Sequence, residues 1–484
     1  METQKPWYKN KYSWMLIAVL LLTFGIRMFY LIQNPNQPAW YDESEYGSMA
    51  KHFALGTTPW ENQIRTPYFP MLISPFFYFG AGEIGVKIFE ILLITASVFL
   101  IYLITRKLYD EQIAIITSAL SSVFWVTIFW GIRTTTDIPA LFFQLLTLLF
   151  FVKYLEDGLD RNLILTALFM VLAFLMRTQS VLLIAVLLIV FLLMKGKDLL
   201  KPKWIITGII GLVGGITFLL TMGKKLIVNP NFNLPIGWSA LNFINIFLNP
   251  FLMGFFYFGL LALIINLVLT YDMLNSKKET IGDLIMLLIM LVWFGFFVFY
   301  IRASEDRWLL LTFVPIFVLV SRALVIIGKG IAKYSKVIAV IFVVAMLGIG
   351  GYYELKQADG IVNAKKDAYS QVMKAGLWIK ANSNPNDTVV SASQPQNIFY
   401  SERKTYDFYF DKGVNQTEDD FNRNLKIIKP RYIVLSAFEP VFTPAWAFSW
   451  PEKHQDILNP VMVYYADAQK TQPILIIFEV MKND

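Results

Sequence analysis

The chain contains no cysteine and only two histidines, His52 and His454, among its 484 residues. Without cysteine it can form no disulfide, and it offers neither a thiol nucleophile nor a cysteine metal site. The two histidines lie too far apart in the sequence to indicate a zinc site. These absences exclude several classes of enzyme and leave the redox environment of the protein undetermined.

Charged residues are also scarce: 16% of the chain is Asp, Glu, Lys or Arg, whereas 56% is hydrophobic. No single soluble core could bury so much apolar surface, so the composition indicates a membrane protein with several spans. The net charge is +7, but the basic residues are scattered between apolar runs, which argues against nucleic acid as a partner. The first apolar run lacks a following cleavage pattern, and we expect a retained helix there.

About eleven apolar segments are long enough to cross a bilayer, since a spanning helix needs roughly 17 to 25 mainly apolar residues. They are residues 14–33, 84–105, 112–130, 137–153, 162–177, 178–194, 204–222, 250–271, 281–301, 308–326 and 337–352. Lys and Arg collect in alternate short loops, which the positive-inside rule assigns to the cytoplasm. The remaining loops, which hold most of the polar clusters, are therefore predicted to face outward.

Residues 34–83 form an unusually long outer loop between the first two predicted spans. Helical spacing there predicts a helix in the membrane interface, with Glu45 off an apolar face formed by Tyr46, Met49, Ala50 and Phe53. The apolar run at residues 68–80 is interrupted by two prolines and is only about 13 residues long. We therefore expect a second interfacial or re-entrant element instead of a crossing.

The composition becomes more polar from residue 353 onward. Four β-like runs predict strands, at residues 388–391, 432–435, 462–465 and 473–478, and residues 371–380 predict a helix. About 130 residues suffice for one small α/β domain. The sequence thus predicts a helical membrane domain at residues 1–352 and an outer α/β domain at residues 353–484.

Three acids, Asp42, Glu43 and Glu45, follow the first span, where a carboxylate is costly unless it faces water or a partner. One interpretation is structural: Asp42 caps the interfacial helix and Glu45 closes a capping box. The other is catalytic: a carboxylate in an outer cavity removes a proton from an acceptor hydroxyl. Both can hold, because a cap also orients its neighbours.

Asp137 begins a later span on the same predicted face, with Arg133 one turn upstream. Because Asp followed two residues later by Pro is an ordinary helix start, the local pattern alone does not indicate a site. The outer loops also hold arginines, which pair with lipid headgroups or grip a donor phosphate: Arg65, Arg133, Arg177, Arg302 and Arg307. Arg307 could instead pair with Glu305 or Asp306.

The motifs around these residues resemble the GT-C glycosyltransferases, above all the branch of protein O-mannosyltransferases and lipid A aminoarabinose transferases. The resemblance covers the whole membrane part in matching order. Five stretches carry it: Asp42-Glu43 with Tyr46-Gly47 after it, Arg65-Thr66-Pro67, Gly85-Val86-Lys87-Ile88, Thr136-Asp137-Ile138-Pro139 and Asp306-Arg307-Trp308.

The resemblance implies an inverting transferase that moves one sugar from a polyprenyl-phosphate carrier to a protein, lipid or glycan acceptor outside the cytoplasm. Asp42 is then expected to be the catalytic base, Glu43 its neighbour in the motif and Asp137 a second acid that orients the site. Other residues are expected to bind substrate, with Arg65 at the carrier phosphate: Tyr46, Arg65, Arg133, Arg302 and Arg307. The implied location is the plasma membrane, with the active site and the C-terminal domain on the extracytoplasmic side.

Glu45 departs from the aminoarabinose branch, which commonly has an arginine there, so that branch's grip on phosphate is not expected here. A Mg²⁺ or Mn²⁺ ion between Asp42 and Asp137 stays open, although two carboxylates make a poor cage. Two other functions also stay open. A transporter or flippase of lipid-linked sugars predicts repeats or broken helices with charge at mid-span, and a non-catalytic receptor predicts a ligand on the outer domain.

Overall fold

The computed structural model describes residues 10–58, 66–196, 235–246, 249–274, 276–303, 305–410, 417–440, 442–467 and 469–481. Arg65 and the predicted span at 204–222 lie outside the described residues. The chain divides into two compact units. The first consists of residues 1–33, 87–132 and 136–362, and the second of residues 34–86, 133–135 and 363–484.

Helices make up most of the described chain. In chain order they are α1 (Lys11–Gln33), α2 (Tyr41–Leu55), α3 (Tyr68–Tyr78), α4 (Gly82–Leu108), α5 (Glu111–Val123), α6 (Trp125–Trp130), α7 (Asp137–Asp157), α8 (Asp160–Met176), α9 (Val181–Lys195), α10 (Ile236–Asn245), α11 (Pro250–Thr270), α12 (Lys278–Phe294), α13 (Phe313–Ala332), α14 (Lys336–Lys365), α15 (Ser370–Ala381), α16 (Gln394–Ser401), α17 (Glu418–Ile428) and α18 (Trp450–Lys453). A π-helix, Gly295–Ile301, continues α12, and a 3₁₀ helix, Asp306–Thr312, leads into α13.

Within the described residues, seven helical stretches are long and apolar enough to cross a membrane. They are Lys11–Gln33, Gly82–Leu108, Asp137–Asp157, Pro250–Met273, Lys278–Ile301, Asp306–Ala332 and Lys336–Lys365. Each coincides with a predicted span, and the predicted span at 178–194 is the shorter apolar helix Thr178–Met194. The predicted fold class, a helical multi-pass membrane protein with a small α/β part, is confirmed.

The predicted span at residues 112–130 is not one continuous helix. It breaks at Phe124, whose extended backbone separates α5 from α6. The fully buried Arg27 of α1 donates to the carbonyls of Ser122 (2.9 Å) and Thr127 (3.2 Å). From α14, Glu354 accepts the Trp125 N–H (3.3 Å). Irregular backbone in an apolar setting persists only where such groups are satisfied, so these two side chains make the break tolerable.

The second unit contains a five-stranded mixed sheet. Its strands are β1 (Thr388–Ser391), β2 (Lys404–Tyr406), β3 (Tyr432–Ser436), β4 (Leu458–Tyr465) and β5 (Pro473–Val480), in the order β2-β1-β3-β5-β4. Strand β1 is parallel to both β2 and β3, and β5 is antiparallel to β3 and β4. The four predicted strands are present. Strand β2 was not predicted, because its three residues are too few to show a strand pattern.

Alternation along β1 supplies both faces of this sheet with core residues. Val389 packs with Val372 and Ile379 of α15 on one face, and Val390 packs with Phe421 of α17 on the other. Successive strand residues point to opposite faces, so the sheet is covered by helices on both sides. Helix α14 continues through the predicted domain boundary at 352/353 to Lys365, and the domain division itself stays a prediction.

The two helices of the predicted outer loop differ in length. Helix α3 has 11 residues and contains Pro75, which agrees with an element too short to cross a bilayer. In α2, Tyr46 and Ala50 are buried as predicted, but Glu45, expected off the buried face, is only 1% exposed. Phe53, expected on that face, is 45% exposed. Helix α2 is thus buried on more than one side, and its place in the membrane interface stays a prediction.

Replacing Arg27 with Met should destabilise the protein by about 2–4 kcal/mol, because the Ser122 and Thr127 carbonyls on either side of the Phe124 break would lose a buried donor. Thermal unfolding of the purified protein in detergent measures the effect. The control is Leu22→Ala on the exposed side of the same helix, expected to change stability by less than about 1 kcal/mol. Equal losses for both variants would contradict this role of Arg27.

Candidate active site

Helix α2 begins one residue before the predicted catalytic acid. Its N-cap is Trp40, and Glu43 in the first turn accepts the Trp40 N–H (2.7 Å). The capping prediction was therefore wrong in its residues, because Asp42 lies inside the first turn and Glu43, not Glu45, closes the turn. Asp42 is partly exposed there. Its carboxylate also lies at the positive end of the helix dipole.

A buried ion pair fixes the first turn of α2. Glu43 accepts hydrogen bonds from the Arg133 guanidinium and from the Thr134 N–H (2.9 Å). The Arg133 and Glu43 side chains are 1% and 5% exposed. Arg133 also donates to the Pro38 carbonyl (3.2 Å) and lies 3.9 Å from the centre of the Trp40 ring. Both predicted residues are thus brought together, in contact with each other.

Tyr46 lies one turn further along α2 and is buried against α3. It is 7% exposed, and its ring meets the edge of the Phe69 ring at a centroid distance of 5.2 Å. Phe69 is fully buried. The contact packs α2 against α3, and a substrate-binding role for Tyr46 stays a prediction.

Helix α16 packs directly on α2. A Cβ atom on Gly47 would lie 2.5 Å from the Phe399 ring, so only glycine admits that ring. The Tyr400 hydroxyl accepts the Ala39 N–H (2.7 Å), just before α2 begins. The C-terminal residues therefore help to position the helix that carries Asp42.

Two lysines and one glutamate form ion pairs at the C-terminal end of α2. Lys51 donates to Glu402 (3.2 Å) and to the Phe399 carbonyl (2.8 Å), and Lys380 also binds Glu402 (2.7 Å). Burial lowers the pKa of Lys51, and the nearby Glu402 offsets part of that effect. Burial opposes ionisation of Glu402, but both lysines outweigh it and hold its pKa below the ordinary value of 4.5. A cavity of about 500 Å³ lies beside this network.

In the first unit, Asp137 is the first residue of α7 and is paired with Arg177. Its side chain is 1% exposed, and Arg177 also donates to Gln179 (2.9 Å). Arg177 lies where α8 ends, and the chain turns there before α9. A small cavity of about 10 Å³, roughly one water, adjoins the pair and is also lined by Trp308 and Arg307.

Arg307 and its neighbours form a second polar cluster of the same unit. Arg307 donates to Glu305 (2.7 Å) and lies 5.0 Å from the centre of the Trp130 ring. The Trp130 indole N–H donates to Asp306 (3.1 Å). Arg302 is exposed at the end of the π-helix, with a positive φ of 55°. The structure thus brings Arg307 near Asp137 around one cavity, and among the described residues Arg302 is not part of its lining.

Sequence reasoning singled out Arg177 only as one of several outer arginines and missed its partner, Asp137. The feature that could have indicated this pair is the position of Arg177 at the outer end of a span. Sequence spacing, however, does not show which helices are neighbours. Among the described residues, no three His, Asp or Glu side chains are grouped to hold a metal ion. No step proposed below depends on a metal.

The fold is similar to that of solved GT-C glycosyltransferase structures, and the resemblance seen in the sequence is confirmed. The family profile of dolichyl-phosphate-mannose-protein mannosyltransferases matches residues 65–220. The structure of ArnT from Cupriavidus metallidurans bound to undecaprenyl phosphate aligns with a TM-score of 0.58 at 12% identity, over 97% of this chain and 98% of that one.

An Archaeoglobus fulgidus oligosaccharyltransferase structure, tethered to an acceptor peptide, aligns with a TM-score of 0.58 at 14% identity. The alignment covers 99% of this chain and 75% of that one. A comparison with curated protein sequences finds no match. At these identities the solved structures show the shared fold alone.

The Glu43–Arg133 pair predicts a strong energetic coupling. Removing either charge leaves the other buried without its counter-ion, which typically costs about 3–5 kcal/mol. Glu43→Gln and Arg133→Met should therefore each lower the unfolding temperature sharply. The double variant should lose less unfolding free energy than the two single variants lose together, by about 1 kcal/mol or more. Unfolding measurements on the four proteins test this, and strictly additive losses would contradict it.

Glu402 predicts an acid-sensitive contribution to stability. Because its pKa is lowered in the folded protein, the contribution is fully present above the unfolded value and is lost as pH falls through the folded pKa. Wild type should exceed Glu402→Gln in unfolding temperature near pH 7, and the gap should narrow toward about pH 3.5. Glu452→Gln, at an exposed position, is the control. If the difference in unfolding temperature between wild type and Glu402→Gln does not change with pH, the two lysines are not the source of that difference.

Proposed function

We propose that this protein transfers one sugar from a polyprenyl-phosphate carrier to an acceptor hydroxyl on the extracytoplasmic side of the membrane. The observation that carries the proposal is the assembly at the start of α2. There, a buried Glu43–Arg133 pair fixes the turn that presents the partly exposed Asp42. A catalytic base needs this combination of a rigid backbone and an accessible carboxylate.

In the proposed reaction, the acceptor oxygen attacks the anomeric carbon while Asp42 takes the hydroxyl proton. The bond between the anomeric carbon and the phosphate oxygen breaks, and its electron pair leaves with the polyprenyl phosphate. One displacement inverts the configuration at the anomeric carbon. A retaining route would need a separate nucleophile on the opposite sugar face. Because a phosphate is already a good leaving group, positioning and cationic stabilisation should suffice beside the base.

Glu43 and Arg133 are assigned a positioning role in this proposal. Each is nearly fully buried and already engaged with several partners. A side chain held in this way orients the turn that carries Asp42 and is poorly placed to bind substrate itself. The earlier expectation that Arg133 binds substrate directly thus becomes a proposal that it acts through Glu43.

Asp137 and the arginines are assigned to the carrier phosphate. Asp137 and Arg177 form a buried pair, and Arg307 lines the same small cavity. A carboxylate that fixes one guanidinium leaves further N–H donors of that group for a phosphate. Arg65 and Arg302 are proposed to assist.

The nature of the donor is supported by the structural relatives. The Cupriavidus metallidurans ArnT was crystallised with undecaprenyl phosphate, and the Archaeoglobus fulgidus enzyme with an acceptor peptide. We infer a lipid-phosphate carrier here as well. The proposed outward orientation rests on the distribution of Lys and Arg among the loops.

The broken helix at Phe124 is a feature that the transporter alternative predicted. Its freed backbone groups are bound by Arg27 and Glu354 of the same unit. A transport site instead uses such groups to coordinate its substrate. The break therefore favours a structural role, and transfer remains the better-supported function.

Asp42→Asn should lower the rate of sugar transfer by about 10²–10⁴-fold, because the amide cannot accept the hydroxyl proton. Binding of polyprenyl phosphate and the unfolding temperature should stay close to wild type. The assay reconstitutes the protein in vesicles and follows transfer from a polyprenyl-phosphate hexose by mass spectrometry. Asp272→Asn, an exposed acid in the first unit, is the matched control with expected normal transfer. Undiminished transfer by the Asp42 variant would remove Asp42 from the mechanism.

A further inference from the structure

The cavity of about 500 Å³ beside the C-terminal end of α2 is large enough for a small organic molecule, since ligand sites typically measure about 300–1,000 Å³. Helices α2, α4, α15 and α16 all contribute to its lining. Lys51, the residue from α2, lies about 14 Å along that helix from Asp42. Within the described residues, neither Asp42 nor Asp137 lines the cavity. Its lining therefore indicates a ligand of its own.

The start of α4 places this cavity at the level of lipid head groups. Helix α4 has 27 residues and is therefore about 40 Å long, which matches the thickness of a bilayer with its head-group layers. Charged side chains occupy both end turns, with Glu83 in the first and Arg106 and Lys107 in the last. Just before α4, Tyr78 and Phe79 are 67% and 80% exposed, and exposed aromatic residues are typical of the membrane interface. Membrane lipids therefore have direct access to the cavity.

Part of the lining is apolar and open to the surroundings. It includes Ile84 of α4 and Leu377 of α15, which are 46% and 49% exposed, and the half-buried Met373. Aliphatic side chains at the edge of a bilayer contact acyl chains without meeting water. A lipid can thus place its head group in the cavity while its chains remain in the bilayer.

The polar part of the lining supplies hydrogen-bond donors for a phosphate. The Lys380 side chain is 44% exposed and binds Glu402 through one of its three N–H groups. The Tyr400 hydroxyl accepts the Ala39 N–H, so its own proton is left to donate. Burial raises the pKa of Tyr400 well above its ordinary value of 10, and the hydroxyl therefore keeps that proton at neutral pH. An ammonium and a hydroxyl on one cavity are suitable donors to phosphate oxygens.

The charges around the cavity balance each other. Lys51 and Lys380 both pair with Glu402, and Glu83 adds a second carboxylate to the lining. Burial lowers the pKa of Lys51, and the negative charges of Glu402 and Glu83 work against that effect. An anionic ligand would face two carboxylates together with the two lysines. A ligand that carries both signs of charge matches such a lining better.

We propose that this cavity binds the head group of a zwitterionic phospholipid of the phosphoethanolamine type. The phosphate accepts hydrogen bonds from Lys380 and Tyr400, and the primary ammonium donates to Glu83. A quaternary ammonium would instead require an aromatic cage, and Tyr400 is the one aromatic residue in the described lining. The acyl chains leave the cavity past Ile84 and Leu377. This lipid site does not depend on the proposed sugar transfer.

Lipid binding by the purified full-length protein in a neutral detergent tests the site. Calorimetric titration with dihexanoyl phosphatidylethanolamine should detect binding to wild type. Lys380→Gln should weaken that binding about tenfold, the effect of one lost charge-assisted hydrogen bond. The matched control is Lys374→Gln, which changes an exposed lysine of the same helix outside the cavity lining. This control should bind the lipid as wild type does.

Glu83→Gln separates recognition of the ammonium from recognition of the phosphate. It should weaken binding of dihexanoyl phosphatidylethanolamine about tenfold. It should bind dihexanoyl phosphatidylglycerol, which has no ammonium, at least as tightly as wild type does. Leu377→Trp adds bulk to the cavity lining and should weaken binding of both lipids. Unfolding temperatures without lipid show which variants fold, and if Lys380→Gln does not fold, the Glu83 and Leu377 variants decide the test.

Four results would overturn the proposal. The first is absence of phosphatidylethanolamine binding to wild type, and the second is equal binding to wild type and to the folded lining variants. The third is tighter binding of phosphatidylglycerol than of phosphatidylethanolamine to wild type, which would identify an anion site. The fourth is binding of O-phosphoethanolamine, which has no acyl chains, as tightly as the lipid, which would identify a site for a free small molecule.

Discussion

The buried pair of Glu43 and Arg133 is the interaction on which the geometry of the candidate site depends. Glu43 accepts the Trp40 N–H and so closes the first turn of α2, and the pair joins that turn to Arg133 and Thr134. Burying both charges is costly, and the cost is offset by the hydrogen bonds that Glu43 and Arg133 make and by the Trp40 ring beside Arg133. Such a pair fixes the local geometry more than it adds to the net stability of the fold.

Residues distant in sequence belong to one compact unit for the same reason. Residues 133–135 group with the outer loop and the C-terminal residues, although helices of the first unit flank them along the chain. Their contact with Glu43 explains this grouping. Helix α16 then supports α2 from the other side through Gly47, Ala39 and Lys51. The C-terminal part thus acts on the candidate site by holding the helix that carries Asp42.

The membrane helices also contain buried polar groups that are satisfied by specific partners. The break at Phe124 persists because Arg27 and Glu354 satisfy the backbone groups that it frees. Asp137 likewise lies at a helix start with Arg177 as its partner. Arg27, Glu354 and Asp137 are therefore each engaged with a specific partner, as expected where an unpaired charge is most costly.

The sequence alone determined the class of the fold, because apolar runs of membrane-spanning length and strand-like alternation are local properties of the chain. It also determined the candidates Asp42, Glu43 and Asp137, whose charge is conspicuous beside hydrocarbon. It could not determine that Trp40 caps α2, that Glu45 is buried or that β2 exists, since each depends on contacts made across the fold. Only the tertiary structure paired Glu43 with Arg133 and Asp137 with Arg177. A guanidinium can reach any of several carboxylates, and folding decides which one lies within its reach.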